Sequence, residues 1–361
     1  MSTNMTPSQQ TPLIRQIVFV LAALVVIIAG MREAAELVNP FLLSLFIAII
    51  TAPPYFYLCR RGWPNALALL AVLSAVVLAT VGIASLLAGS LASFTRDLPQ
   101  YSATLESQTR GLLDWLEVHG VEVPKTEMSE IVSPGTALRL VSNLMNGLGS
   151  TLGNGFLIFI TVLFLLFEAR SFQIKLKCLA SSRGHDLDTL YGIGEKINRY
   201  LAIKTMTSLA TGLLIGLLLW LLSVPYPVLW GTLAFLLNYI PTIGSILAGI
   251  PVVLLSLVVG GPSLATWVVV VYLVVNNLIG SFLEPRFMGS RLGLSPLIVL
   301  LSMIFWGWVL GPVGMFLSVP ITMTLKIALE GTPETRGIAM LMGPAPTPEE
   351  AEAWSRLCRR D

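Results

Sequence analysis

Long stretches without a charged side chain alternate with short polar segments along this chain. The charge-free stretches cover residues 16–31, 37–58, 62–95, 140–167, 205–283 and 292–325. A helix needs about 20 residues to cross the hydrocarbon core of a bilayer, whereas a membrane strand needs about ten. The stretches are too long for strands and show no alternation of polar and apolar residues, so they predict transmembrane helices.

Two of the apolar segments contain an interruption near their middle. We expect full crossings at about 14–31, 35–58, 64–90, 151–169, 203–223 and 265–283. The segments 228–259 and 296–326 are instead broken by turn-forming residues at 238–245 and 307–314. The predicted fold is an all-α polytopic membrane protein with about six full transmembrane helices and two interrupted helical-hairpin segments. Amphipathic patterns add helices on both faces of the membrane.

The distribution of Lys and Arg predicts which loops face the cytoplasm. The segments 168–204 and 284–291 are rich in basic residues, whereas 91–139 carries more acidic than basic residues. Basic loops stay on the cytoplasmic side of a membrane. We therefore expect 91–139 to lie outside the cytoplasm and both chain termini to lie inside it.

This sidedness makes each interrupted segment enter and leave the bilayer on the same face. Residues 226–260, here called the first hairpin, would enter from outside the cell. Residues 292–325, the second hairpin, would enter from the cytoplasm. The halves of each segment are short for full spans, which favours hairpins that turn inside the bilayer. Pairs of thin full crossings would give the same sidedness and are the alternative.

The same patterns divide the chain into five regions. They are 1–90 with three N-terminal transmembrane helices, 91–150 as an extracytoplasmic amphipathic region, 151–223 with two spans and a cytoplasmic amphipathic linker at 170–202, 224–327 as a transport core with two hairpins around one span, and 328–361 as a flexible cytoplasmic tail. Both interruptions fall in the transport core, so we expect the function to reside there.

Composition supports the membrane assignment and removes several classes of function. Charged residues make up 12% of the 361 residues and apolar residues 55%, against about 25% charged in soluble domains. A net charge of +2 without a basic cluster argues against nucleic acid as a partner. The sequence has no nucleotide-binding, hydrolase or metal-site motif. We therefore expect no enzyme activity, no cofactor and no bound metal.

The interruptions carry polar side chains without charge at membrane depth. Discontinuous helices that meet near the middle of the bilayer are typical of transporter binding sites. The predicted substrate contacts are Asn238, Tyr239, Thr242 and Ser245 at the first interruption and Asn276 and Asn277 in the helix that follows it. The residues expected to shape the hairpin tips are Pro241, Gly244, Gly311, Pro312 and Gly314. For any one polar side chain, hydrogen bonding between helices is the competing explanation.

Glu284 lies at the end of the longest uncharged stretch and is followed by Arg286. An ionisable residue in that position is a candidate for function, so we predict that Glu284 and Arg286 take part in proton coupling or gating. An interfacial ion pair between Glu284 and Arg286 or Arg291 is the alternative. The charge-free stretch from 205 to 283 fits a small, uncharged polar solute better than a charged one.

Several ordered blocks resemble the autoinducer-2 exporter family. The block 238–244 is similar to its I-P-x-I/L-G signature, and 283–289, 292–296 and 306–315 are similar to its E-P-R-x-M-G, L-G-L-S-P and W-G-W-x-L-G-P-x-G blocks. The resemblance implies a transporter of the bacterial inner membrane that exports the quorum-sensing signal autoinducer-2. It also implies a homopentamer in which one bundle moves against an oligomerising scaffold, in the manner of an elevator.

Family membership alone leaves the substrate open. Some relatives are described as sodium (or lithium)/proton antiporters, so the alternative function is cation/proton exchange at Glu284, with possible proton or sodium coupling. A second alternative is a membrane scaffold without transport. The expected partners are the lipid bilayer, a small polar signal molecule and further copies of the chain.

Overall fold

Helix is the only regular secondary structure in the described part of the computed structural model, which comprises residues 7–118, 154–183, 187–241, 243–288, 293–331 and 335–344. The helices are α1 (Pro7–Glu33), α2 (Ala35–Arg60), α3 (Asn65–Val118), α4 (Gly155–Arg183), α5 (Leu187–Leu221), α6 (Pro227–Leu237), α7 (Ile243–Asn276), a π-helix (Asn277–Leu283), α8 (Glu284–Met288), α9 (Pro296–Glu330) and α10 (Arg336–Leu341).

Five helical segments of the described chain are long and apolar enough to cross a bilayer. They are Ala35–Arg60, Asn65–Asp97, Ile197–Leu221, Ile243–Leu283 and Pro296–Glu330, and Gly155–Ala169 and Pro227–Leu237 are shorter apolar helices. Large apolar side chains such as Phe19, Phe156 and Phe282 are exposed, which a bilayer tolerates and water does not. The predicted class, an all-helical polytopic membrane protein, is confirmed.

The helices are longer than the predicted regions. α3 is one helix of 54 residues, so it continues from the predicted third span into the amphipathic region that was placed at 91–150. α5 likewise joins the predicted linker at 170–202 to the next span. In both places the polarity of the sequence changes while the helix continues, and α3 accommodates Pro99 in its interior. The side chains that carry the amphipathic patterns lie largely outside the described residues, and the amphipathic faces stay predictions.

The chain reverses direction inside both α7 and α9. Gly261 and Gly311 have φ of +69° and +67° and ψ of −168° and −150°, a conformation that essentially only glycine adopts. Across the first reversal, the Tyr272 hydroxyl donates a hydrogen bond to the backbone oxygen of Ala248 at 3.3 Å. The reversal at Gly311 forms the tip of the second hairpin. The reversal at Gly261 comes directly after the end of the first hairpin, whose own tip lies between α6 and α7.

Close contact between glycines joins α5 to the first arm of the first hairpin. Gly212 and Gly216 of α5 pack on Gly231 of α6, and a Cβ on Gly212 would lie 2.7 Å from the Gly231 backbone oxygen. Trp230, on the same arm, is fully buried and donates its indole N–H to the backbone oxygen of Pro225 at 3.0 Å. α5 and α6 therefore form one packed unit.

Part of the predicted flexible tail is packed against the core. α9 extends to Glu330, and α10 follows it with Ala339 fully buried. The backbone N–H of Ser295 donates to the Met342 oxygen at 3.0 Å, which connects α10 to the first residues of the second hairpin. Residues 335–344 thus pack against the core, while 332–334 and 345–361 lie outside the described residues.

Candidate functional site

The tip of the first hairpin is bound to α5 by two side-chain hydrogen bonds. α6 ends at Leu237, and the amide of Asn238 donates to the Ser208 hydroxyl at 3.0 Å. The hydroxyl of the next residue, Tyr239, donates to the Thr205 Oγ1 at 2.9 Å. Both acceptors lie on α5, so two predicted substrate contacts meet a helix that was not predicted to approach the tip.

A cluster of aromatic rings surrounds Tyr239. Its ring centroid lies 4.4 Å from Phe316, 5.8 Å from Phe235 and 5.9 Å from Phe46. Only 6% of Tyr239 is exposed. The Tyr239 hydroxyl is thus hydrogen-bonded to Thr205 while its ring packs among aromatic side chains.

Gly244 closes the first tip. A Cβ at this position would overlap the backbone oxygen of Leu237, so the start of α7 can approach the end of α6 only with glycine. Pro241 and Ser245 flank it, and both are half-buried. Thr242 lies outside the described residues.

The second tip is equally compact. A Cβ on Gly314 would overlap the backbone oxygen of Trp306. The Trp306 indole N–H donates to the Thr322 Oγ1 at 3.0 Å, which joins the two arms. Pro312 is exposed and follows the left-handed Gly311. Gly311, Pro312 and Gly314 thus lie at the reversal, and their role in shaping the tip stays a prediction.

Both tips lie beside α2. The amide of Asn39 donates to the Leu310 backbone oxygen at 3.1 Å, next to the second tip. The Asn39 Oδ1 is buried without a hydrogen-bond partner among the described residues. Phe46, which contacts Tyr239, is seven positions further along α2, or about 10 Å at 1.5 Å per residue. The two tips therefore approach each other along one helix.

The first tip lies near the middle of the membrane-crossing helices. Phe46 is close to the centre of Ala35–Arg60, and Thr205 and Ser208 are close to the centre of Ile197–Leu221. A pair of full crossings would place its turn beside helix ends. The positions beside α2 and α5 thus favour a hairpin that turns inside the bundle.

A buried ion pair lies next to the first tip. The Lys204 ammonium donates to the two Glu284 carboxylate oxygens at 2.9 and 3.1 Å. The side chains are 6% and 17% exposed, respectively. Arg286, the partner considered from the sequence, is exposed, and Arg291 lies outside the described residues. The partner of Glu284 is thus Lys204, the last residue of the basic segment 168–204.

A π-helix leads directly to Glu284. The Glu284 backbone N–H donates to the oxygen of Ile279, five residues earlier, which is the wide hydrogen-bond spacing of this helix type. Short π-helical turns are frequent at functional sites. Glu284 follows the π-helix Asn277–Leu283 directly, so the π-helical turn affects the direction in which the Glu284 side chain points.

Polar side chains line the face of α5 that meets the tip and the ion pair. The buried polar or aromatic residues of this face are Tyr200, Lys204, Thr207, Ser208 and Thr211. Their spacing of three or four residues places them on one side of a helix. This spacing was visible in the sequence and could have identified Lys204 as a residue of the bundle.

The two adjacent asparagines after the first hairpin face different surroundings. Asn276 is half-buried, whereas Asn277 is exposed and donates its amide to the Leu273 oxygen of its own helix at 2.8 Å. Asn277 therefore makes no contact with the first tip in this conformation.

The assembled groups can bind a polar solute through neutral hydrogen bonds, beside one compensated ion pair. Within the described residues no group of three or more His, Cys, Asp or Glu could hold a metal ion. Two hairpins that reverse beside the same helices, with uncharged polar groups at the first tip, define a helical membrane transporter. The chain belongs to the family described as "AI-2E family transporter", and residues 19–334 match that family.

Relatives of known sequence agree with this class. The AI-2 transport protein TqsA of Escherichia coli (strain K12) is 40% identical over 327 residues, which cover 91% of this chain and 95% of the relative. A Haemophilus influenzae protein named "Putative transport protein" is 38% identical over 329 residues, covering 90% and 94%. These matches confirm the family resemblance and the transporter function. Together with the apolar helices, they indicate a bacterial inner membrane.

Proposed function

We propose that this protein exports autoinducer-2, a small uncharged polar signal, as a secondary carrier without ATP. The relative TqsA, 40% identical over 91% of the chain, is named as an AI-2 transport protein. The structural observation that carries the proposal is the pair of neutral hydrogen bonds, Asn238 to Ser208 and Tyr239 to Thr205, at the first tip.

These two bonds suit exchange with a hydroxyl-rich solute. A neutral hydrogen bond in a protein contributes about 0.5–1.5 kcal/mol net, because another partner can replace the lost one. A solute that offers hydroxyl and carbonyl groups can therefore separate the tip from α5 at little cost. We assign Asn238, Tyr239, Thr242, Ser245 and Asn276 to this contact surface, and Asn277 to it only in another conformation.

Charge at the site also favours a neutral solute. The ionised groups closest to the first tip, Lys204 and Glu284, neutralise each other. A charged solute inside the bilayer would need an uncompensated partner. Glu284, with Arg286 two residues further on, is proposed as the gating or proton-coupled group.

The buried carboxylate of Glu284 is the observation that favours a second candidate, cation/proton exchange. Under this alternative, a sodium gradient would move protons through liposomes that contain the protein, and Glu284→Gln would abolish the movement. Under pure signal export, sodium would have no effect. The scaffold alternative gains no support from a family of transporters.

Assembly and movement are further parts of the proposal. We expect a homo-oligomer, a pentamer by resemblance, in which the hairpins move relative to a fixed scaffold, with both termini in the cytoplasm. The mass of the detergent-solubilised complex tests the oligomer, and a monomer of 39.0 kDa would contradict it.

Export measurement tests the substrate and the tip together. Purified protein in liposomes loaded with autoinducer-2 should release it, and the Asn238→Ala/Thr242→Ala double variant should release it about tenfold more slowly, given the size of such hydrogen bonds. Thr232→Ala is the matched control, because its hydroxyl bonds to Val228 within α6, away from the tip. Unchanged release by a correctly inserted double variant would remove the tip from the mechanism.

A further inference from the structure

One ammonium group contacts both oxygens of the half-buried Glu284 carboxylate. Lys204 Nζ lies 2.9 Å from Oε1 and 3.1 Å from Oε2, so the side of the carboxylate that faces the bundle is occupied. The Lys204 side chain is 6% exposed. Tyr200, one helical turn before Lys204 on α5, is buried.

A carboxylate in this position requires a positive partner. Removing a charge from water costs several kcal/mol unless an opposite charge and hydrogen bonds replace the water. Two kinds of partner can do this inside a membrane: a cationic side chain or a free monovalent cation held by oxygen atoms. Glu284 has the first kind, the ammonium of Lys204.

We propose that Lys204 acts as a resident cation that keeps a monovalent-cation site on Glu284 closed, so that transport by this protein does not use sodium. The inference deepens the proposed transport function and rests on it for its consequence. A tethered ammonium acts at an effective concentration of at least millimolar order. A free sodium ion therefore has to displace a group that cannot diffuse away.

The proposal makes Lys204 the residue that decides ion specificity. With the ammonium removed, Glu284 is left buried without its counter-charge, and a sodium or lithium ion can take the vacated position. Arg286 is two residues away and exposed, so its guanidinium is a competitor for the same carboxylate. A test has to remove this competitor as well.

Direct binding of radioactive sodium to the purified full-length chain tests the idea. In choline buffer, wild type, Glu284→Gln and Lys204→Arg should show no saturable binding. Lys204→Met, and more clearly Lys204→Met/Arg286→Gln, should gain saturable binding that lithium displaces. Adding Glu284→Gln to either variant should abolish it. Lys204→Arg is the matched control, because it keeps the positive charge.

Two results would overturn the proposal. The first is saturable sodium binding by the wild type that Glu284→Gln removes, because the lysine would then not close the site. The second is a Lys204→Met protein with a normal elution profile that binds no sodium. If Lys204→Met yields little protein, Lys204→Gln, which keeps a polar side chain, replaces it with the same expected gain. Sodium binding is measured without the solute, so a failure of autoinducer-2 export would leave this result unaffected.

Discussion

Trp306 and Thr322 both belong to α9 and are 16 positions apart, yet the indole N–H of Trp306 donates to the Thr322 Oγ1 at 3.0 Å. In a straight helix the two residues would be separated by about 24 Å along the axis. The chain therefore reverses between them, at Gly311. This bond joins the two arms of the second hairpin close to its tip.

Removing this bond should destabilise the second hairpin in a coupled manner. Trp306→Phe and Thr322→Val should each lower the free energy of unfolding by about 0.5–1.5 kcal/mol, the usual range for one hydrogen bond. The double variant should lose less than the sum, because the second substitution removes a bond already absent. Thermal unfolding in detergent measures all four proteins. Strict additivity would show that the two side chains do not interact.

Glycine should be required at both tips. Gly244→Ala and Gly314→Ala introduce a Cβ that overlaps a backbone oxygen, and forced overpacking costs about 1–3 kcal/mol or more. We expect lower melting temperatures and loss of export. Gly82→Ala is the matched control, because no atom lies within 4 Å of its Cβ position. Wild-type stability in either tip variant would contradict the observed hairpin geometry.

The first hairpin should depend on a contact between its beginning and α3. The Tyr226 hydroxyl donates to the Asp97 carboxylate, and Phe94 packs its ring against Tyr226 and Trp230 at centroid distances of 5.7 and 5.4 Å. Tyr226→Phe should lower stability by about 1.5–3 kcal/mol, as for hydrogen bonds to charged groups. Thr95→Ala is the control, since that exposed hydroxyl bonds to its own helix.

The stability contributed by Tyr226 should not vary near neutral pH. Burial raises the pKa of Tyr226, and the hydrogen bond to Asp97 raises it further. The neutral phenol is therefore favoured by folding, and its contribution is complete below the ordinary tyrosine pKa of about 10. It is lost as pH rises from about 10 through the raised pKa. The difference in melting temperature between wild type and Tyr226→Phe should be equal at pH of about 6 and 9; a clear change between them would contradict this.

Sidedness can be tested with cysteine labelling in spheroplasts. Ser263 is exposed directly after the Gly261 reversal, on the face predicted to be external. In a chain whose three cysteines are replaced, Ser263→Cys should react with a membrane-impermeant thiol reagent. A chain that keeps only Cys59, predicted to be cytoplasmic, should react after permeabilisation. The opposite pattern would reverse the predicted orientation.

The hairpins could be predicted because their causes are local. Gly311-Pro312 supplies a residue that adopts positive φ and a residue that cannot continue a helix, and such a pair is visible in the sequence. At the first tip the corresponding residues are Pro241 and Gly244, which lie three positions apart. The continuation of α3 through Val118 was not predicted, because a change from apolar to amphipathic composition suggested a boundary, yet the helix continues through Pro99.

The partners of the polar residues could not be predicted in the same way. Asn238 and Ser208 are 30 positions apart, and Lys204 and Glu284 are 80 positions apart. Lys204 stands at the border of a charge-free stretch and ends the basic segment 168–204, so the charge pattern did not place its side chain inside the bundle. Only the packing of α5 against the hairpin and the π-helix shows that its side chain turns into the bundle.

The sequence alone determined that this chain is helical, crosses a membrane and breaks at two defined places. The bilayer requires every backbone group to be bonded internally, so hydrophobic length and Gly-Pro positions are sufficient evidence. The tertiary structure decided which side chains meet: Lys204 with Glu284, and Tyr239 with Thr205. These contacts depend on how distant helices pack and rotate against one another, and that arrangement is a property of the whole fold.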